Sequence, residues 1–167
     1  MLRDGVLGAG PRWADLGSGR GAFTLALADL LGAGAEICAV DRDGGALREL
    51  GAGMHARFPA TNLETRAADF NSELGLTGLD GVVMANSIHY SRRKEAVLAR
   101  VRGMLKPGGR LIVVEYNADR GNPWVPWPIS YTAWQRLAES NGFSGTRLLA
   151  TVPSRFLNEI YSALSMR

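Results

Sequence analysis

The eleven residues Trp13-Ala14-Asp15-Leu16-Gly17-Ser18-Gly19-Arg20-Gly21-Ala22-Phe23 constrain the fold more than any other stretch. A short apolar run ends at Leu16, glycines follow at alternate positions, and a helical pattern begins near Phe23. That order predicts a strand, a tight turn and a helix start. Alternating glycines permit positive φ and let a ligand approach the main chain where a Cβ would block it. The helix that follows points its free N–H groups and positive dipole end at whatever occupies the turn.

A Gly-x-Gly by itself does not identify a ligand, but a second apolar run, Ile37-Cys38-Ala39-Val40, ends in Asp41. In a nucleotide-binding α/β unit an acid at the end of the second strand accepts hydrogen bonds from ribose hydroxyls. The dinucleotide spacing Gly-x-Gly-x-x-Gly does not fit Gly17, Gly19 and Gly21. Asp15-x-Gly17-x-Gly19-x-Gly21 instead resembles motif I of the class I S-adenosylmethionine-dependent methyltransferases.

Composition sets few further bounds. With 167 residues, 46% apolar and 21% charged, the chain has the size and make-up of one globular domain, here 1–167. A net charge of +3 gives no ground for a nucleic-acid partner. The single cysteine, Cys38, lies in an apolar run, so neither a disulfide framework nor a cysteine-based metal site is expected. No signal-peptide or membrane-spanning pattern is present, and a cytoplasmic protein is the expectation.

Along the chain, Phe23, Leu27, Leu30 and Leu31 share one helical face. Strand two is residues 36–40. Asp43 is placed to cap a second helix with apolar positions Leu47, Leu50, Met54 and Phe58. Leu63–Ala67 and Leu79–Ala85 read as strands three and four. Ser91 is the expected cap of a helix with apolar positions Val97, Val101, Met104 and Leu105, after which Lys106-Pro107-Gly108-Gly109 turns into strand five, Arg110–Glu115. Thr132-x-x-Gln135 reads as a capping box for a last helix to Asn141, with Gly142 beyond its end. Thr146–Val152 and Arg155–Leu164 can pair as a hairpin. Strands alternating with amphipathic helices predict a parallel sheet covered on both faces, with ligands beyond the carboxyl ends of the strands.

The family resemblance extends over nearly the whole chain, through Asp41, Asp69, the polar cluster after strand four and the Lys-Pro-Gly-Gly turn. It implies an α/β, Rossmann-like doubly wound, mainly parallel seven-stranded sheet. Strand seven would be antiparallel and inserted between five and six. It implies S-adenosyl-L-methionine as cofactor, with S-adenosyl-L-homocysteine as product. The cofactor-binding residues it points to are Asp15, Gly17, Ser18, Gly19, Gly21, Asp41, Arg42, Asp69, Phe70 and Asn86, with Asp69 at the adenine amino group and Phe70 beside the ring. Residues 1–12 leave room for about one turn of helix, a shortened form of the family's N-terminal cover. A homo-oligomer contact or a partner is one way to close that side.

Asn86-Ser87-Ile88-His89-Tyr90 occupies the family's motif IV, beside the transferable methyl, without the Pro-Pro-aromatic form used on exocyclic base amines or glutamine. His89, with Tyr90 beside it, can take a proton from an attacking hydroxyl, amine or acidic carbon. The alternative is a structural imidazole bonded to a backbone carbonyl. His55 reads as a surface residue. Three cations in one first helical turn, Arg92, Arg93 and Lys94, would oppose the macrodipole. They point to an anionic substrate group, or else to a solvated face. Tyr116, Trp124 and Trp127 either line a substrate pocket or pack a loop onto the core. These residues predict methyl transfer to a small or medium-sized acceptor. An RNA or protein methyltransferase, or a cofactor-binding non-catalytic module completed by a partner, are the alternatives.

Overall fold

A short strand buried on both faces has to lie inside a sheet, and β1 (Arg12–Leu16) has its last four residues buried. The computed structural model describes all 167 residues. Around β1 stand β2 (Glu36–Asp41), β3 (Asn62–Ala67), β4 (Leu79–Ala85), β5 (Leu105–Tyr116), β6 (Ser144–Pro153) and β7 (Glu159–Met166). They form one sheet in the order β3-β2-β1-β4-β5-β7-β6. Pairings from β3 through β5 are parallel, and β7 runs antiparallel to both β5 and β6. The expected α/β, Rossmann-like sheet is therefore present, hairpin included. The chain leaves β1 for β2 on one side and returns to β4 on the other, so the strand order reverses between β1 and β4. Ligands of open α/β sheets bind beyond such a reversal.

Side chains alternate across the strands and divide the core in two. Ala14, Leu16, Val40, Val82 and Met84 pack with α4 (Lys94–Met104) and α5 (Tyr131–Ser140). Trp13, Ile37, Ala39 and Val83 pack with α1 (Arg3–Val6), α2 (Ala22–Leu31) and α3 (Gly44–Arg57). The Trp13 ring lies against Gly81, where a Cβ would come within 2.4 Å of it. No helix is long and apolar enough to cross a membrane.

Several expectations shift in detail. The Asp43 side chain caps α3 as expected, accepting from the N–H groups of Gly45 and Ala46. The buried face of α2 is Thr24, Leu27 and Ala28, with Phe23, Leu30 and Leu31 only half-buried, because the Thr24 hydroxyl turns inward to Asp15. Strand five starts earlier than Arg110. Its pairing with β4 steps from Leu105 to Arg110, so Lys106-Pro107-Gly108-Gly109 is a bulge within the strand. That bulge holds the last residue, through Gly108 N–H to Arg167 O and Arg167 N–H to Gly109 O.

The last helix is capped by Ser130, whose hydroxyl accepts from Ala133 N–H, and Thr132 lies inside it. Tertiary bonds decide this start: Asn117 Oδ1 accepts from Tyr131 N–H at 2.9 Å, and Asp119 Oδ1 from Ser130 N–H at 3.2 Å. Ser130→Ala is expected to destabilise the protein by about 1 kcal/mol in urea unfolding, and Thr132→Ala by much less. Equal losses would return the cap to Thr132.

Candidate functional site

The strand ends beside the β1/β4 reversal build two adjoining clefts. After β1 the chain turns through Gly17, Gly19 and Gly21, at φ of 83°, 52° and 86°. Two of these glycines are required by packing as well. A Cβ on Gly17 would lie 2.4 Å from Ser87 Cβ, and one on Gly21 would lie 2.1 Å from Leu50 Cδ1. Gly19 faces open space.

Asp41, at the end of β2, fastens this turn from the side. Its Oδ2 accepts from Gly19 N–H at 2.7 Å and its Oδ1 from Asp43 N–H at 2.9 Å. Each carboxylate oxygen still has a lone pair to offer. After β3, Asp69 Oδ1 accepts from the backbone and side-chain amides of Asn71, and Oδ2 lies 3.8 Å from the Arg42 guanidinium. The Asn71 N–H, more than any other group, holds the Asp69 carboxyl below the usual carboxylate range. Gly17, Asp41, Arg42, Asp69, Phe70 and Asn86 thus line one cleft, together with Asn71 and Ser87, which sequence reasoning had not singled out. Ser87 donates to Leu16 O at 2.7 Å, locking the end of β1 to the turn after β4.

The second cleft shares Asn86 and Tyr90 with the first and adds His89, Tyr116, Trp124, Val125 and Phe156. Asn86 stands at the junction with φ 50°. His89, on the 3-10 turn Ile88–Tyr90, is 2% exposed. Its Nδ1 lies 2.9 Å from Glu115 Oε2 and 3.0 Å from Oε1. Glu115 is wholly buried at the end of β5 and also accepts from the backbone N–H groups of His89 and Tyr116. A carboxylate at Nδ1 fixes a proton there, so Nε2 is the acceptor whenever the ring is neutral. The partner of His89 Nδ1 is thus a carboxylate and not the backbone carbonyl of the structural alternative. From the sequence alone Glu115 reads only as the end of a strand. A charge closing the apolar run Leu111–Val114 was the available signal, because a buried carboxylate requires partners.

The basic turn differs from expectation. Ser91 makes no side-chain cap, α4 begins at Lys94, and Arg92 and Arg93 lie before it, exposed. Lys94 is buried, donating to Ser91 O at 3.0 Å and Trp127 O at 2.7 Å. The three cations therefore do not share a first helical turn. Of the two tryptophans, Trp124 lines the second cleft and the Trp127 side chain does not.

Asp15 is 1% exposed, with Oδ2 accepting from Thr24 Oγ1 at 2.6 Å and Oδ1 unpartnered. The Ser18 hydroxyl is buried without a partner as well. Burial pushes the Asp15 carboxyl up to about 6, against an ordinary value of 3.8. A carboxyl raised in the fold binds more protons folded than unfolded, so stability falls as pH rises from 3.8 to about 6. The loss is about 3 kcal/mol by neutral pH. Asp15→Asn abolishes this titration. The stability difference between variant and wild type, measured by urea unfolding, is expected to move by about that amount in favour of the variant between pH 4 and pH 7. A flat difference would mean that Asp15 ionises normally.

A family model described as a methyltransferase domain matches residues 14–111, more than half of the chain. The chain is similar to the reducing polyketide synthase grgA of a Penicillium species, 28% identical over 165 residues that cover 84% of this chain and 7% of that protein. It is also similar to the arsenite methyltransferase of Aquipseudomonas alcaligenes, 30% identical over 158 residues that cover 83% of this chain and 46% of that one. It thus spans less than half the length of these relatives. The crystal structure of the Burkholderia thailandensis 1,6-didemethyltoxoflavin-N1-methyltransferase, with bound 1,6-didemethyltoxoflavin and S-adenosylhomocysteine, shares the fold. Its TM-score is 0.78 at 17% identity, covering 99% of this chain and 75% of that one. The matched segment carries the glycine turn, Asp41, Asp69 and His89 on the strand order described above, and the chain belongs to the methyltransferase-domain family, with the class I S-adenosylmethionine-dependent methyltransferase fold.

Proposed function

We propose that this chain methylates a small or medium-sized acceptor from S-adenosylmethionine, with His89 as the base. The observation that carries this reading is the buried His89–Glu115 pair, set in a cleft that adjoins the glycine-turn cleft through Asn86 and Tyr90.

Two sets of residues fit the cofactor: those lining the first cleft, and Asp15, Ser18, Gly19 and Gly21, which stand at the glycine turn outside that lining. The unpartnered Oδ1 of buried Asp15 is an acceptor without a donor, suited to the ammonium of the amino-acid end. The open space at Gly19 admits a ligand against the backbone of Gly17, Ser18, Gly19 and Gly21. The free lone pairs of Asp41 suit ribose hydroxyls, with Arg42 beside it. Asp69 and Phe70 are the adenine side of the cleft. When bound, the cofactor supplies an electrophilic methyl on a sulfonium whose departure needs no protonation.

His89 Nε2 then takes the proton that the acceptor atom gives up. Glu115 holds the ring in the correct tautomer and stabilises the imidazolium that forms. An amine attacks with a lone pair it already has, whereas a hydroxyl or an acidic carbon gains its nucleophilic pair only as the proton leaves. A built base therefore favours the C–H or O–H acceptor. Arg92 and Arg93, following directly on the His89 turn, offer charge to an anionic group on it. The chain's free, buried Cys38 suits a reducing compartment such as the cytoplasm.

S-Adenosylhomocysteine is expected to raise the melting temperature and NADH to leave it unchanged, since a ligand of the native state stabilises by RT ln(1 + [L]/Kd). Gly19→Val should abolish that shift and Asp41→Ala weaken it. A shift with NADH alone would refute the cofactor assignment.

Acceptors can be ranked by S-adenosylhomocysteine release with an acetoacetyl thioester, catechol and benzylamine. The first two are expected to exceed the amine. His89→Ala should lower turnover ~10²-fold or more while keeping the thermal shift. Turnover that survives His89→Ala, with its acidic pH limb intact, would remove the base from the mechanism.

A further inference from the structure

Of the two lysines in the chain, Lys106 is exposed and Lys94 is 8% exposed. A buried lysine is rare without a partner, yet no carboxylate is paired with this one. Its Nζ donates instead to two carbonyls, Ser91 O at 3.0 Å and Trp127 O at 2.7 Å. Those carbonyls belong to different walls of the second cleft. Ser91 closes the turn that carries His89 and Tyr90. Trp127 belongs to the segment that carries Trp124 and Val125. Trp127 N–H also donates to His89 O at 3.2 Å. The Trp127 residue is therefore held at both of its backbone polar groups, once by His89 and once by Lys94.

Burial holds the Lys94 ammonium below the usual lysine range, and the Glu115 carboxylate is the charge that most opposes that shift. The titratable and charged groups around His89 are Glu115 and Tyr116 from β5, Tyr90 from its own turn, and Lys94 from α4 through Glu115. Across from Glu115 on β7 stands Tyr161, whose ring meets that of Tyr131 edge-on. Lys94 is the buried cation of this set, whereas Arg92 and Arg93, next along the chain from the His89 turn, are exposed.

We propose that Lys94 is a positioning residue of the acceptor cleft: it fastens the 117–129 segment to the His89 turn and biases the proton equilibrium of the His89–Glu115 pair. This rests on the reading of His89 as the base. A fixed positive charge near the pair stabilises the Glu115 carboxylate and opposes an imidazolium. The clamp and the charge come from one group.

Neither readout of the test needs an acceptor or turnover. The chain has two histidines, so imidazole 1H–13C spectra show two ring signals, and His55→Gln assigns them. In Lys94→Met the titration midpoint of the His89 ring is expected to rise by about half a unit to one unit, and in Lys94→Arg to stay close to wild type. Trypsin cleavage after the exposed Arg120, identified by mass, should be about 5-fold faster or more in Lys94→Met, because the freed segment opens more often. Should Lys94→Met not fold, Lys94→Gln keeps a polar, uncharged group at the site and must show the same rise. An unmoved midpoint in the folded uncharged variant, or an unmoved cleavage rate in Lys94→Met, overturns the proposal. A raised midpoint and faster cleavage, beside a His89→Ala variant that keeps full turnover, would sustain the clamp and its charge and refute His89 as the base. The opposite pattern would refute only the role of Lys94.

Discussion

The close approach of Gly17 and Ser87 is the contact on which both clefts depend. The ends of β1 and β4 meet where the strand order reverses, and a single added carbon on Gly17 would put two Cβ atoms 2.4 Å apart. Because the glycine yields that space, the Ser87 hydroxyl reaches Leu16 O and pins the two strand ends together. The turn after β4 is thereby set in place, and Asn86 on one side of Ser87 and His89 on the other take their positions from it. Asp41 fixes the opposite edge of the glycine turn through Gly19 N–H. Two hydrogen bonds and one missing side chain thus define a wall common to the first cleft and the route into the second.

The two most deeply buried carboxylates at these strand ends are treated in opposite ways. Glu115 has three N–H donors around it, from the His89 ring, the His89 backbone and the Tyr116 backbone. Its desolvation is offset within the fold, and it needs no ligand to be satisfied. Asp15 has one donor, the Thr24 hydroxyl, and an oxygen left over. A buried acceptor without a donor lowers stability in the free protein and becomes an asset once a cation arrives. The contrast is physical: Glu115 is satisfied by its neighbours within the fold, and Asp15 keeps an acceptor without a donor.

Much of this architecture is legible in the sequence because it is encoded locally. The β4 strand, Leu79–Ala85, has a continuous apolar core, Val82–Ala85, ended by a turn, and it lies where the pattern places it. The Asp43 cap and the glycine turn are equally local, since each depends on residues within a few positions. What escapes are features decided by partners distant in sequence. Ser130 displaces Thr132 as a cap because Asn117 and Asp119 hold the preceding backbone. Lys94 looks like the third member of a surface triplet until Trp127 supplies a carbonyl from 33 residues away. Glu115 needs His89, 26 residues earlier, before its charge makes sense inside a sheet.

The outer wall of the second cleft shows how an irregular segment can still hold a defined shape. Between Asn117 and Ile129 there is no helix or strand, yet Pro123, Pro126 and Pro128 restrict the unfolded chain and lower the entropy lost on ordering it. Asn122 Oδ1 accepts from the N–H groups of both Trp124 and Val125, each at 2.9 Å, closing a small turn without outside help. Val125 is buried beneath it while Trp124 is 73% exposed, so the segment is anchored from below and presents its aromatic ring outward. Tyr90 and Phe156 are exposed across the same opening. Large aromatic faces left in water around a cleft are surface that an acceptor can cover, with a gain of about 25 cal/mol per Å² of apolar area buried. The floor of the cleft is polar, buried and fixed by hydrogen bonds, whereas its rim is apolar and open. On the proposed reading, proton transfer uses the first of these and acceptor binding the second.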